Sequence, residues 1–145
     1  MNNKITNKGF CTIALLLFSL LIFQSCATKH AFSTSEVVPA AEGSVKVKKD
    51  NNNNYGIDLK VIRLANSRRL TPSKEMYIVW MESEQNEAKN IGQLNTSSGL
   101  FSKSLKSSLK TVSTTKPTSF FITAEDDATV QYPSNQVVMR TGGNF

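Results

Sequence analysis

The amino-acid sequence predicts an all-β fold, an immunoglobulin-like β-sandwich of about seven strands, preceded by a signal peptide and a flexible tether. Three observations carry the prediction of the sandwich. Short runs in which apolar and polar residues alternate recur from Gly43 onward, and this period of two is typical of strands with one buried face. Residues 76–81, MYIVWM, are continuously apolar, as expected for a central strand. No segment has a convincing long helical pattern, and seven short strands in about 100 residues are typical of this architecture.

The strands follow in order along the chain. Val45 and Val47 are separated by a polar residue, and apolar residues occupy every second position from Tyr55 to Val61. Between these two runs, residues 50–54, DNNNN, form a turn cluster. The apolar run 76–81 is predicted to be buried on both faces, with Trp80 as a core residue.

Three further strands complete the clear set, over residues 90–94, 119–125 and 136–140. Pro72, Pro117 and Pro133 stand outside these runs, where proline is expected in a sheet protein.

The segment 100–112 allows two interpretations. Phe101, Leu105, Leu109 and Val112 recur at helical spacing, with lysines elsewhere on the helical wheel. Serine is abundant, however, and the flanking segments are strand-like, which favours a seventh strand over residues 104–110. A basic amphipathic helix lying on lipid is the alternative.

The first 25 residues are predicted to be a signal peptide. Residues 1–9 contain two lysines and no acid, and a 14-residue run, Phe10 to Phe23, is broken only by Thr12 and Ser19. This length is typical of the apolar segment of a signal peptide and is shorter than the roughly 20 residues that span a bilayer.

The end of this leader resembles the bacterial lipoprotein signal, in which a small residue precedes an invariant cysteine. Ser25 and Cys26 match that pair, while Phe23 and Gln24 make the motif a relaxed version. The resemblance implies cleavage before Cys26, a diacylglycerol on its thiol and an acyl chain such as palmitate on its amino group, enough for permanent anchoring. Ala27 stands where aspartate would imply inner-membrane retention, which favours an outer-membrane location facing the periplasm.

Residues 26–42 are predicted to be a lipidated, flexible tether, and residues 43–142 the β-sandwich domain. The stretch from Ala27 to Ala41 is rich in serine, threonine and alanine, and Phe32 is almost its only large apolar residue. His30, the only histidine, is predicted to be a solvated residue of this tether.

Charge and cysteine content narrow the possible functions. Two of the 17 basic residues, Lys4 and Lys8, lie in the leader, so residues 26–145 carry 15 basic and 11 acidic residues, a net charge of +4. The bases are dispersed along the chain, which predicts a solvated surface and no nucleic-acid partner. Cys11 lies in the leader, so no cysteine beyond Cys26 is available for a disulfide, a zinc site or a nucleophile.

A second resemblance covers the region from Lys74 to Gly142. It is carried by YIVW at 77–80, IGQL at 91–94, FFITAE at 120–125, YP at 132–133 and VVMRTG at 137–142. These stretches resemble the C-terminal extracytoplasmic domain of anti-sigma-K factors. The resemblance implies a fold for an envelope-side domain. The sequence has no counterpart of that family's sigma-binding domain, so direct sigma-factor regulation is not implied.

The residues offer little for catalysis, and the protein is predicted not to be an enzyme. Nucleophilic catalysis needs a base beside the nucleophile, and the only histidine lies in the predicted tether. A hydrolase that uses paired carboxylates is a remote alternative, for which Glu125 at the end of an apolar strand is the residue of interest. The other interpretation of Glu125 is a strand-end carboxylate bound to the backbone or to a nearby lysine.

Neither a metal site nor a bound cofactor is predicted. Residues 50–54 lack the alternate-residue spacing of a calcium loop, and asparagine runs favour turns for local reasons. Arg68 and Arg69 lie in a turn-rich stretch, and loops are where binding residues concentrate. They are therefore candidates for contact with an acidic partner or a lipid headgroup, and Glu125 is a third candidate for the binding surface.

The sequence thus predicts a non-enzymatic lipoprotein of the cell envelope, with a binding or structural role and an envelope protein or glycan as its partner. The alternative is an accessory or regulatory envelope domain related to anti-sigma-K factor C-terminal domains, without direct sigma-factor binding.

Overall fold

The computed structural model describes residues 28–84, 87–97, 105–143 and 145. In this part of the chain, nine strands and one short 3-10 helix, Ser67–Arg69, form a sandwich of two sheets. The strands are β1 (Thr28–Ala31), β2 (Glu42–Lys49), β3 (Tyr55–Ile62), β4 (Met76–Ser83), β5 (Ala88–Gln93), β6 (Asn95–Ser97), β7 (Lys106–Ser113), β8 (Pro117–Glu125) and β9 (Val137–Arg140). The prediction of an all-β sandwich is confirmed. The signal peptide and Cys26 lie outside the described residues.

Both sheets are antiparallel. Sheet I has the strand order β1-β2-β3-β7-β6, and sheet II has the order β5-β4-β8-β9. Without β1, these orders correspond to the ABED and C′CFG sheets of immunoglobulin-like sandwiches. The described part of the chain has nine strands where about seven were expected, because β1 and β6 were not predicted.

A single apolar core lies between the sheets. Strand β3 contributes Ile57, Leu59 and Val61, which are at most 2% exposed. Val79 of β4 and Phe120 of β8 face them from sheet II and are fully buried. The alternation of the sequence produces this arrangement, since every second residue of a strand points to the same face.

Strand β4 is buried on both faces, as its apolar run predicts. Trp80 is fully buried, but it lies on the outer face of sheet II, in a second cluster with Ile78 and Phe121. The rings of Trp80 and Phe121 stack with their centroids 6.1 Å apart. The connection between β8 and β9 packs on this cluster through Val130, so the outer face of sheet II is itself covered.

The prediction of a flexible tether is wrong for residues 28–42, which belong to the folded domain. Strand β1 pairs with β2 over all four of its residues. Phe32, Val38 and Ala41 are buried in the core, and Phe32 also bridges to Thr141 next to β9. A Cβ atom at Gly43 would lie 2.8 Å from the Phe32 ring, so glycine makes this close packing possible. The composition of this segment led to a wrong prediction because strand pairing depends on backbone hydrogen bonds, and small polar side chains do not prevent these bonds.

His30 is therefore not a solvated tether residue. Its ring centroid lies 4.0 Å from that of Phe145, and Phe145 packs edge-on against Phe120 at 5.0 Å. The Nε2 atom of His30 is buried and has no hydrogen-bond partner among the described residues. The side chain closes one end of the core instead of extending into solvent.

Two other expectations concern the centre of the chain. Residues 106–113 form β7, so the strand interpretation is confirmed there and the amphipathic helix is wrong for these residues. Residues 98–104, including Phe101, lie outside the described residues. Pro117 was expected to lie outside the strands, but it is the first residue of β8. The first position of a strand is nevertheless one that proline can occupy.

Candidate functional site

The outer face of sheet I brings together lysines that lie far apart in the sequence. Because successive side chains of a strand point to opposite faces, the residues between the buried positions of β1, β2, β3 and β7 all point to solvent. Six lysines occupy such outward positions, and all six are exposed. We call them the lysine face: Lys29, Lys46, Lys48, Lys60, Lys106 and Lys110.

The strand register places four charged residues of this face in one row. Lys29 of β1 lies opposite Lys46 of β2, Lys46 lies opposite Asp58 of β3, and Asp58 lies opposite Lys110 of β7. Neighbouring strands are about 4.8 Å apart, so Lys29 and Lys46 set two like charges side by side. Such a pair destabilises a sheet.

Two carboxylates share the lysine face without cancelling its charge. Asp58 is half-buried; its Oδ2 lies 3.9 Å from Nζ of Lys60, and its Oδ1 is buried without a hydrogen-bond partner among the described residues. Glu42, at the start of β2, is bound by the guanidinium group of Arg63. Six lysines against two carboxylates leave a strongly positive surface.

An open groove borders the lysine face at its β1 edge. Its volume is about 520 Å³, and its lining includes Lys29, Lys60, Ser33, Thr34 and the acidic residue Glu42. Two ammonium groups and two hydroxyl groups therefore meet at one concave part of an otherwise flat face. The two ammonium groups can donate hydrogen bonds to an anion, whereas Oγ of Ser33 already donates to the backbone carbonyl oxygen of Arg140 at 2.9 Å.

The opposite side of the molecule has no comparable surplus of lysines. Strands β1, β2, β3 and β7 carry seven lysines and two acids, whereas residues 64–94 and 117–145, which build sheet II and its flanking segments, carry seven acids and five bases. The sandwich is therefore electrostatically polar, with its positive side on sheet I.

The two arginines that the sequence singled out lie away from this face. Both belong to the 3-10 helix, which the side chain of Asn66 caps. Arg68 donates from Nε and Nη2 to Oε2 of Glu75 at 2.9 and 2.6 Å, so a carboxylate balances its charge. Arg69 is exposed, and its predicted contact with an acidic partner or headgroup stays a prediction.

Glu125 is not a surface residue, which corrects its place among the binding candidates. It is 4% exposed, and its Oε1 accepts hydrogen bonds from Oγ1 of Thr123 at 2.5 Å and from the backbone N–H of Ser134 at 2.9 Å. Of the two interpretations that the sequence allowed for Glu125, the structure has the strand-end carboxylate bound to the backbone. The indole N–H of Trp80 donates to the same Thr123 hydroxyl at 2.8 Å. Trp80, Thr123 and Glu125 thus hold the β8–β9 connection against sheet II.

Residues 50–54 form the predicted turn between β2 and β3. Oδ1 of Asp50 accepts hydrogen bonds from the backbone N–H groups of Asn52 and Asn54, both at 2.8 Å. The backbone hydrogen bond from Asn54 is the main cause that lowers the pKa of Asp50. Over the described ranges of the chain, no group of three histidine, cysteine, aspartate or glutamate side chains could hold a metal ion.

The lysine face was missed by reading charge along the chain, because bases that are dispersed in the sequence share one face of sheet I. The sequence does contain part of the signal, because Lys46 and Lys48 are two residues apart, and Lys106 and Lys110 are four apart. Both spacings put the side chains on one face of a strand. What the sequence lacks is the pairing of β3 with β7, which makes the two sets neighbours. The absence of a nucleic-acid partner stays a prediction.

The fold and this face define a class of protein: a two-sheet β-sandwich with one broad cationic surface, suited to binding anions by charge. No protein-family model, curated protein or solved structure matches the chain. In the part of the chain that the structure describes, no helix is both long enough and apolar enough to cross a membrane.

Proposed function

We propose that the protein is a non-enzymatic lipoprotein of the cell envelope, anchored through lipid on Cys26, whose sandwich binds an anionic partner through the lysine face. The observation that carries the binding role is the concentration of six exposed lysines on one side of one sheet. Lysine is a compact, strongly hydrated charge on a flexible stem, so this surface suits phosphate or carboxylate groups spread over an area. An envelope glycan or an acidic envelope protein has that chemistry.

The anchoring part of the proposal rests on the leader, the resemblance of Ser25 and Cys26 to the lipoprotein signal, and the physics of several acyl chains. The outer membrane, with the domain facing the periplasm, is the location we propose, because Ala27 follows the cysteine. A structural role alone would not explain why like charges are kept side by side at Lys29 and Lys46.

Substitution of Cys26 tests the anchor. The native full chain and its Cys26→Ser variant are expressed separately in bacteria. The two proteins are compared by membrane fractionation, alkyne-palmitate labelling and intact mass. We expect the native chain to be shortened, labelled and membrane-bound, and the variant to lose the label and leave the membrane. Unchanged mass and unchanged partitioning in the variant would overturn the anchor.

Two charge-reversal pairs test the binding surface. Lys46→Glu with Lys110→Glu alters the lysine face, and Lys89→Glu with Lys116→Glu makes the same change in net charge at exposed positions elsewhere. The detergent-solubilised full-length protein is applied to a resin that carries polyphosphate and eluted with salt. We expect the face variant to elute at clearly lower salt than the control variant, because clustered charge dominates binding to a polyanion. Elution of both at the same salt contradicts the proposal.

A further inference from the structure

We propose that the lysine face lies on the phosphate headgroups of the same membrane that holds the lipid anchor. This inference rests on the anchor of the proposed function and deepens it by naming the anionic partner. Three observations carry it: the short chain between anchor and sheet, the one-sided charge of the sandwich, and the shape of the face.

The first observation is the distance from Cys26 to the sheet. Only Ala27 lies between Cys26 and Thr28, so their Cα atoms are at most about 7 Å apart. Thr28 is the first residue of β1, which is an edge strand of sheet I and carries Lys29 of the lysine face. A lipid on Cys26 therefore holds one edge of the positive sheet next to the headgroups, and no long tether allows the domain to leave them.

The second observation is charge. Lysines close to an anionic leaflet are attracted to it, and the attraction falls off within the Debye length, about 8 Å at physiological salt. The anchored residue lies within this distance of Thr28, at the start of the strand that carries Lys29, so the β1 edge of the face is held inside the range of the attraction. The strands of sheet II carry as many acids as bases, Glu82 and Glu125 against Lys89 and Arg140, so the far side of the sandwich offers the leaflet no comparable attraction. This difference favours one orientation, with sheet I facing the membrane.

The third observation is shape. The lysines extend across four strands of a sheet, so their ammonium groups can meet many headgroups at once. Val112, which is 67% exposed, points to the same side in β7 and would enter the interfacial region. The side-by-side charges of Lys29 and Lys46 are relieved when phosphates bind between them. A single small ligand would use only the groove at the β1 edge, whereas a membrane engages the whole face.

The experiment measures which side of the sandwich approaches lipid. The lipidated full-length protein is reconstituted into phosphatidylcholine vesicles with or without phosphatidylglycerol, and the lipids carry a headgroup quencher. In one protein, Ser108→Cys places a thiol-reactive fluorophore on the lysine face. In a second protein, Tyr132→Cys places the same fluorophore in the connection between β8 and β9, at a site that is 86% exposed. Cleavage of the leader removes Cys11 and acylation blocks the Cys26 thiol, so each protein takes a single label.

We expect several-fold stronger quenching at position 108 than at position 132 when phosphatidylglycerol is present. High salt should abolish the difference, because the Debye length falls to about 3 Å at 1 M. The pair Lys46→Glu and Lys110→Glu should abolish it too, whereas Lys89→Glu with Lys116→Glu should leave it intact. All six proteins, two label positions in each of three backgrounds, should still float with the vesicles, because the anchor is unchanged.

The outcomes separate the two proposals. Flotation with equal quenching at both positions overturns this inference and leaves the lipoprotein proposal in place. Failure to float overturns the anchor and this inference with it. If dextran sulfate, a soluble polyanionic glycan, shields position 108 and phosphatidylglycerol vesicles do not, the occupant is a glycan and the membrane orientation is wrong. The same result with DNA would point to a nucleic acid and would also overturn the inference.

Discussion

The hydroxyl group of Thr123 is a hydrogen-bond partner of two other buried polar groups. It accepts a hydrogen bond from the indole of Trp80 and donates one to Glu125. Thr123→Val keeps the shape of the side chain but leaves the indole N–H unpaired and removes one bond to the carboxylate. We expect the free energy of unfolding to fall by about 2 kcal/mol, since each unsatisfied buried group costs roughly 1–3 kcal/mol. Urea unfolding followed by the fluorescence of Trp80, the only tryptophan, measures the change.

Thr123→Ser is the matched control for this prediction. It loses a buried methyl group, worth about 0.8 kcal/mol, and keeps both hydrogen bonds. The serine variant should therefore be the more stable of the two, although valine is the more apolar residue. If the valine variant is equally stable or more stable, the hydroxyl does not hold this cluster together.

Glu82 on the outer face of sheet II makes stability depend on pH. Partial burial acts to raise its pKa, but the hydrogen bond from Ser119 and the hydrogen bonds and charge of Arg140 outweigh it, so the pKa lies below its ordinary value of 4.5. As the pH falls, the unfolded chain takes up this proton before the folded chain does. The stabilisation present above the ordinary value is therefore lost as the pH falls through the folded pKa.

We accordingly expect Glu82→Gln to lose less stability than the native protein between about pH 6 and pH 3. Urea midpoints measured across this range give the two profiles. Glu84→Gln, at an exposed position two residues along, is the control and should leave the native profile unchanged. Identical profiles for the native protein and Glu82→Gln would show that the contacts with Ser119 and Arg140 do not form in solution.

At the level of strands, the sequence predicted those elements in which apolar residues mark the buried positions. Strand β3 alternates and β4 is continuously apolar, so both could be recognised. Strand β1, TKHA, and strand β6, NTS, have no such pattern. Their backbones pair with β2 and β7, and this pairing does not require apolar side chains. The same limit applied to the candidate site. Alternation fixes which way Lys46 and Lys110 point, but the long-range pairing of β3 with β7 decides that they share a surface.

The segment of residues 28–42 provides a test at this level, because its inclusion in the domain depends largely on Phe32. Phe32→Ala removes a ring that packs against Gly43 in the core. We expect a loss of about 3 kcal/mol in the free energy of unfolding, at the lower end for buried phenylalanine. Proteolytic cleavage within this segment should also become faster, since its contacts with sheet I weaken.

Val37→Ala is the control, because Val37 belongs to the same segment and is 39% exposed. Its stability and its cleavage rate should stay close to those of the native protein. Equal cleavage of the native protein and Phe32→Ala, at a rate typical of an unstructured chain, would restore the flexible tether.

At the scale of the whole molecule, the important property is the separation of charge between the two sheets. The net charge of +4 of residues 26–145 conceals a positive sheet I and a sheet II whose strands carry equal numbers of acids and bases, and only the fold assigns each charged residue to a side. A field of this kind orients a protein at a charged surface. It also destabilises the sheet that carries the surplus, an effect that a bound anion would offset.

Lys29→Glu tests this idea, because Lys29 lies on an edge strand and has one cross-strand neighbour on the face, Lys46. The substitution turns a like-charge pair into an ion pair and should raise the free energy of unfolding by roughly 0.5 kcal/mol. The gain should shrink at about 1 M salt, where exposed charges are screened. Lys116→Glu makes the same charge change in the connection between β7 and β8 and should give no comparable gain. If both variants gain equally, net charge alone limits stability. A gain confined to Lys29→Glu, together with weaker binding to polyphosphate, means that stability is sacrificed on this face for binding.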